Sequence, residues 1–151
     1  MFFDEKVVLF HINASTAEEV IRIGADELHR RGIVKDTFYE HVIEREKEYP
    51  TGLNTETYNI AIPHTDSEYV NRSQILFMSL ENPVNFKAMD DDSVEVPVSL
   101  VFMIAMANKH EQVDTLSNLI GLCGTKEARK ALYECTSVEK FSEIILANGM
   151  E

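Results

Sequence analysis

Residues 59–66 read Asn59-Ile60-Ala61-Ile62-Pro63-His64-Thr65-Asp66, an apolar strand that runs into a proline and then presents a histidine. Pro63 fixes its own φ and restricts the residue before it, so the exit direction of the chain is set just ahead of His64. Strand ends are where reactive side chains project from a rigid support. An imidazole with an ordinary pKa of ~6.5 is mostly neutral at pH 7 and keeps one ring nitrogen with a free lone pair. That nitrogen can serve as a nucleophile, a base or a metal ligand.

Outward from this strand, residues 74–80 and 94–105 read as two more, and the long apolar stretch of the second predicts burial on both faces. Phe77, Met78, Phe102, Met103 and Met106 are assigned to the core. Upstream, residues 6–10 form a β-rich run, and Ser15 with Glu18 makes a capping box opening a helix with Val20, Ile21, Gly24 and Leu28 on one face. Gly32 ends that helix. Asp36 can cap a second one, apolar at Phe38, Val42 and Ile43, which Pro50 and Gly52 stop in a turn. Downstream, the pattern turns helical from Glu111, with Val113, Leu116, Ile120 and Cys123 at three- and four-residue spacing. Thr125 starts another helix. Thr136 with Glu139 opens the last, which passes through Phe141, Ile144 and Ile145 to a stop at Gly149. Strands and helices interleave, so an α/β layered fold with helices packed on a central sheet is expected.

The 151 residues, 44% hydrophobic, are the size of one domain, and residues 1–151 are taken as a single unit. A formal net charge of -12 disfavours nucleic acid and anionic membranes and favours a basic protein partner. The densest acidic stretch, Asp90-Asp91-Asp92 followed by Glu95, reads first as a solvated loop and second as a docking rim. No apolar run approaches the ~20 residues that cross a bilayer, and the start MFFDEKVV lacks a signal-peptide pattern, so a cytoplasmic location is expected. Cys123 and Cys135 are too few for a disulfide framework, which fits a reducing compartment.

The run Ile60-Ala-Ile-Pro-His64-Thr, preceded by Arg45-Glu-Lys-Glu-Tyr-Pro-Thr51-Gly-Leu, resembles the signature of the fructose/mannitol-type enzyme IIA family of the bacterial sugar phosphotransferase system. The two motifs share the family's order and separation. The resemblance implies a mixed sheet, parallel and antiparallel, flanked by helices on both faces. It also implies that His64 receives a phosphoryl group from the phosphocarrier HPr and delivers it to a cysteine of the cognate IIB component. The group is then carried covalently on His64 with no separate cofactor, and association with the membrane component IIC is indirect. Phosphoryl transfer needs in-line geometry and stabilised charge on the equatorial oxygens, which a positioned imidazole with nearby donors can supply. The other ring nitrogen must be held as N–H, and a backbone carbonyl is the expected acceptor.

Arg45 matches the family's helix arginine, whose guanidinium can hold phosphate oxygens through parallel hydrogen bonds. Thr51 can donate its hydroxyl to the phosphate or to His64, or the Thr-Gly pair can serve the turn alone. Where many members carry a second histidine at the start of the helix after the buried strand, alignment on Leu116 and Leu119 puts Gln112, and His110 falls two residues earlier. Gln112 can donate a hydrogen bond but carries no charge. This departure, the threonine after His64, and Asp91, Asp92, Val96, Val98, Ser99, Leu100 and Val101 resemble the galactitol-type members. Two other functions are weighed: a nitrogen-type regulatory relative using the same phosphohistidine, and a metal-dependent hydrolase drawing on His64, Asp66, His11, His29 and His41, whose spacing forms no recognisable ligand set. Docking must be brief for turnover, so a small apolar patch around His64 with a charged rim is expected.

Overall fold

The middle of the chain folds into one long antiparallel hairpin, β4 (Gln74–Lys87) against β5 (Glu95–Ala105), and the other strands add to its two sides. The computed structural model describes residues 2–149. β1 (Val8–Ile12) lies parallel to β4, β3 (Asn59–Ala61) lies parallel to β5, and β2 (Gly52–Leu53) runs antiparallel to β3. The order is β1-β4-β5-β3-β2, a mixed sheet as expected.

Side chains alternate across this sheet and define two cores. Leu76, Met78, Leu80, Val101 and Met103 join one, with Val20, Ile21, Ala25 and Leu28 of α1 (Ala17–Arg30) and Phe38 and Val42 of α2 (Phe38–Glu48). Ile75, Phe77, Leu100, Phe102 and Ile104 join the other. That second face is covered by α3 (Lys109–Leu122), α4 (Lys126–Glu134) and α5 (Val138–Ala147). The unbroken apolar run of β5 is explained by this double burial.

Several boundaries differ from the sequence expectation by one or two residues. The cap of α1 is Thr16, whose hydroxyl accepts from Glu19 N–H at 3.1 Å, while the Glu19 carboxylate reaches back to Ser15 N–H at 2.6 Å. Likewise α5 is capped by Ser137, accepting from Lys140 N–H at 3.1 Å, and not by Thr136. In both places two hydroxyl residues stand side by side, and the cap is the one whose extended backbone directly precedes the first helical turn. Thr37 precedes α2 with a backbone that is not extended (φ -91°, ψ 1°) and makes no side-chain cap, while Asp36 accepts from His29 Nε2 at 2.6 Å. β1 begins after Lys6, whose φ of 53° breaks the extended run, and extends to Ile12. β2 falls where only a turn was expected.

β4 runs to Lys87, seven residues past its expected end, and α3 starts at Lys109 after an Asn108 cap. Its buried residues are Thr115, Leu119 and Leu122, with Cys123 just beyond. Val113 and Ile120, which belong to the apolar residues at helical spacing, are 66% and 48% exposed. The three- and four-residue spacing was real, but the apolar residues occupy more of the helix circumference than one face of the sheet can cover.

Candidate functional site at the end of β3

Beyond β3, His64 continues the parallel ladder: it bridges to Ile104 of β5, and Ile104 N–H donates to Pro63 O at 3.0 Å. The residue is only 6% exposed. Its Nδ1 lies 2.7 Å from Ile62 O. A carbonyl can only accept, so Nδ1 carries the proton and the lone pair belongs to Nε2. The expected backbone acceptor is therefore Ile62 O. Burial pushes the imidazole below its ordinary pKa and the Arg45 charge adds to this, while the Ile62 bond and Asp66 oppose it. The ring is held neutral, with a free nucleophilic nitrogen, at pH 7.

His64 opens into a cavity of about 620 Å³. Arg45 and Thr51, both singled out from the sequence, line it as well. Arg45 is half-buried, and its Nε–H has no acceptor among the described residues. Thr51 is more committed than expected. Its hydroxyl donates to Glu46 Oε1 at 2.8 Å and accepts from Ile62 N–H at 3.3 Å, so it holds the end of β3 and has no hydrogen left for a bound group. Glu46 also accepts Thr51 N–H at 2.8 Å. Burial pushes the Glu46 carboxyl above its ordinary pKa, against the two hydrogen bonds from Thr51.

Gln112 is absent from the cavity wall, although Leu116, one turn further along α3, belongs to it; the buried Gln112 Oε1 has no partner among the described residues. His110 points to solvent and sits 3.5 Å from Asp114. The other histidines lie elsewhere: His29 pairs with Asp36, His41 stacks on Tyr69 at 3.7 Å, and His11 meets the Tyr133 ring edge-on. Among the described residues no group of three or more His, Cys, Asp or Glu is placed to hold a metal.

The rim combines apolar and acidic groups. Tyr49, Met89, Leu116 and Ile120 face the cavity, beside Glu48 and the exposed turn Asp90-Asp91-Asp92. That turn closes the β4–β5 hairpin and reaches the site because Ala88 bridges to Gly52 and Met89 N–H donates to Gly52 O at 2.8 Å. A Cβ on Gly52 would stand 2.7 Å from Lys87 O, so only glycine admits this approach. The Thr-Gly pair was readable as a turn; the hairpin pressed against it was not. Glu46, quoted in the motif but given no role, is the site-supporting residue that sequence reasoning missed. Its only signal was the position beside Arg45.

Three comparisons with known proteins show what the chain is similar to. Residues 1–148 match the family described as phosphoenolpyruvate-dependent sugar phosphotransferase system, EIIA 2. The galactitol-specific EIIA component of Escherichia coli (strain K12) is 35% identical over 120 residues, covering 80% of this chain and 71% of that protein. The crystal structure of IIA mannitol from Escherichia coli superposes with a TM-score of 0.76 at 27% identity, covering 93% of this chain and 96% of the other. A complex of Escherichia coli enzyme IIA for mannitol with phosphorylated enzyme IIB contains a chain of TM-score 0.75 and 27% identity, with coverages of 93% and 94%.

Proposed function

The chain belongs to the EIIA 2 family, phosphotransfer components of the phosphoenolpyruvate-dependent sugar phosphotransferase system, and we propose that His64 Nε2 is the atom that carries its phosphoryl group. The observation that carries this reading is the Nδ1–H to Ile62 O bond, which leaves Nε2 as the free nucleophile in a buried, neutral ring.

In the first step the Nε2 lone pair attacks the phosphorus of phospho-HPr. A P–N bond forms to His64 as the P–N bond to the donor breaks, and the donor imidazole leaves with the bonding pair. In the second, a thiolate of the IIB component attacks the same phosphorus, forming a P–S bond and returning the electron pair to His64 Nε2. Throughout, Nδ1 keeps its proton, and Ile62 O stabilises the positive character that the ring develops in each transition state. The unpartnered Arg45 Nε–H supports a role in holding the equatorial oxygens. Gln112 is retained as a second donor on its motif position alone: its Nε2 amide, one turn before Leu116 on α3, is the group that could donate to a phosphate oxygen. Thr51 acts on the strand end rather than on phosphate.

The apolar residues at the mouth with their acidic rim fit transient docking of a partner with a basic face. The IIB component is the second partner that the mannitol complex supports by analogy. Galactitol is the substrate class favoured by the galactitol-specific relative and by the motif around Asp91, with sugar choice made in the membrane component. We read residues 1–151 as one such unit working in the cytoplasm. No helix among the described residues is long and apolar enough to cross a membrane.

Intact-mass measurement after incubation with phosphoenolpyruvate, enzyme I and HPr tests the proposal, alongside a His64→Gln control. One acid-labile phosphoryl group is expected on the protein and none on the control. No gain on the unmodified protein would refute the phosphocarrier reading. Added IIB should then remove the group; retention would point to the nitrogen-type regulatory role.

A further inference from the structure

The hydrogen bonds behind His64 lead to a residue that forms no part of the cavity wall. His64 Nδ1–H donates to Ile62 O at 2.7 Å, and Ile62 N–H donates to Thr51 Oγ1 at 3.3 Å. Thr51 in turn gives its hydroxyl hydrogen to Glu46 Oε1 and its backbone N–H to Oε2, both at 2.8 Å. The chain thus crosses from the last turns of α2, through the turn before β2, to the end of β3.

The three N–H links have only one workable direction, and an ionised Glu46 fixes the fourth. An ionised carboxylate is acceptor-only, so it dictates where the Thr51 hydroxyl hydrogen points. With that hydrogen committed to Glu46, a lone pair of Oγ1 faces Ile62 N–H, which is buried and has its partner there. The same residue, Ile62, then offers its carbonyl to Nδ1. An amide at position 46 would present one oxygen and one NH2 group, so it could not accept from both Thr51 donors. The hydroxyl would have to turn, and Ile62 N–H would meet a reoriented lone pair in place of the one now fixed toward it.

Burial of this carboxyl works against the fold rather than for it, since desolvation disfavours the ion. Among the described residues its side chain makes hydrogen bonds to Thr51 alone. A residue kept at such cost, with every bond directed toward the support of His64, points to the site and away from general stability.

From this geometry we infer that Glu46 is a positioning residue for phosphoryl transfer, setting the tautomer and tilt of His64 through Thr51 and Ile62. The inference rests on His64 being the phosphoryl acceptor. Glu46 touches neither the cavity nor the phosphoryl group, and its effect passes entirely through the strand end.

The full chain allows two independent readouts. Nitrogen-15 NMR of the unphosphorylated imidazole reports which ring nitrogen holds the proton, and single-turnover transfer from phospho-HPr reports the rate. The unmodified protein should show only the Nδ1–H tautomer. Glu46→Gln and Thr51→Val should both show a mixture of tautomers, with transfer slowed roughly ten- to a hundredfold, the scale of misplacing a reacting group. Thr51→Ser retains the hydroxyl and should restore the single tautomer and most of the rate. Should Glu46→Gln fail to fold, Glu46→Asp retains the charge but withdraws the acceptor by one methylene, and the same two readouts decide. A single Nδ1–H tautomer with native rate in the position-46 variant overturns the inference, as does a folded Thr51→Ser that behaves like Thr51→Val. An unmodified protein that takes up no phosphoryl group fails the phosphocarrier reading instead, and the tautomer measurement separates that failure from this one.

Discussion

The helices α1 and α3 both have 14 residues and both cover the sheet, yet they use their apolar residues differently. On α1, Val20, Ile21, Ala25 and Leu28 go into one core, and Gly24 lets the helix settle onto Met103. On α3 only Thr115, Leu119 and Leu122 are buried; Leu116 and Ile120 turn to the cavity of His64, and Val113 to solvent. A helix that serves only the fold spends its apolar surface on the core. One that also borders a site divides it, and the remainder becomes a docking face.

If that contrast is right, the largest loss of stability comes from the α1 side. Leu28→Ala should destabilise the protein by about 2–5 kcal/mol, because it empties a fully buried site. Thermal unfolding would measure it, and transfer by the protein that remains folded should be unchanged. Next is the hairpin tip, which α3 faces across the cavity. Gly52→Ala forces a Cβ against the Lys87 carbonyl and should displace Met89 and the acidic turn, costing roughly 1–3 kcal/mol together with slower docking of HPr.

On α3 itself the expected effects are inverted. Ile120→Asp should leave stability within about 0.5 kcal/mol of the parent, since the side chain is already half in water. It should weaken transfer from HPr roughly tenfold by removing an apolar contact at the mouth. A variant that lost stability but kept its rate would erase the distinction between the two helices.

The pH dependence sharpens the same point at the buried ring. Because the folded pKa of His64 lies below ~6.5, the neutral nucleophile persists at pH 6.5, and the rate should fall only at lower pH, as the ring protonates. The unfolded chain takes up this proton first, so the stability contributed by the neutral ring is present above ~6.5 and is lost as pH falls through the folded value. A rate profile measured with phospho-HPr checks the first statement and melting temperatures the second. The smallest effect belongs to Gly24→Ala. Helix propensity gains up to about 1 kcal/mol, offset by the flexible Met103 end that must move from a 2.9 Å approach, so the net change should stay within about 1 kcal/mol.

Much of this could be read from particular residues. The octet 59–66 announced a strand that ends at a proline and offers a histidine, and the structure places His64 there, beside Arg45 and Thr51. The apolar runs of β4 and β5 and the apolar spacing of α1 were local signals. Cap positions missed by one residue, as at Thr16 and Ser137, because adjacent hydroxyls satisfy the same short pattern.

The sequence by itself determined where an imidazole is presented, since a histidine behind Ile-Pro is a property of the chain order and its local dihedral limits, and the resemblance of its motifs supplied the chemistry expected there. Only the tertiary structure decided which nitrogen is free, what Thr51 holds, which side of α3 is buried, and that residues 88–92 wall the cavity. Those outcomes depend on contacts between segments far apart in the chain, and a periodic pattern carries no record of which neighbour will cover it.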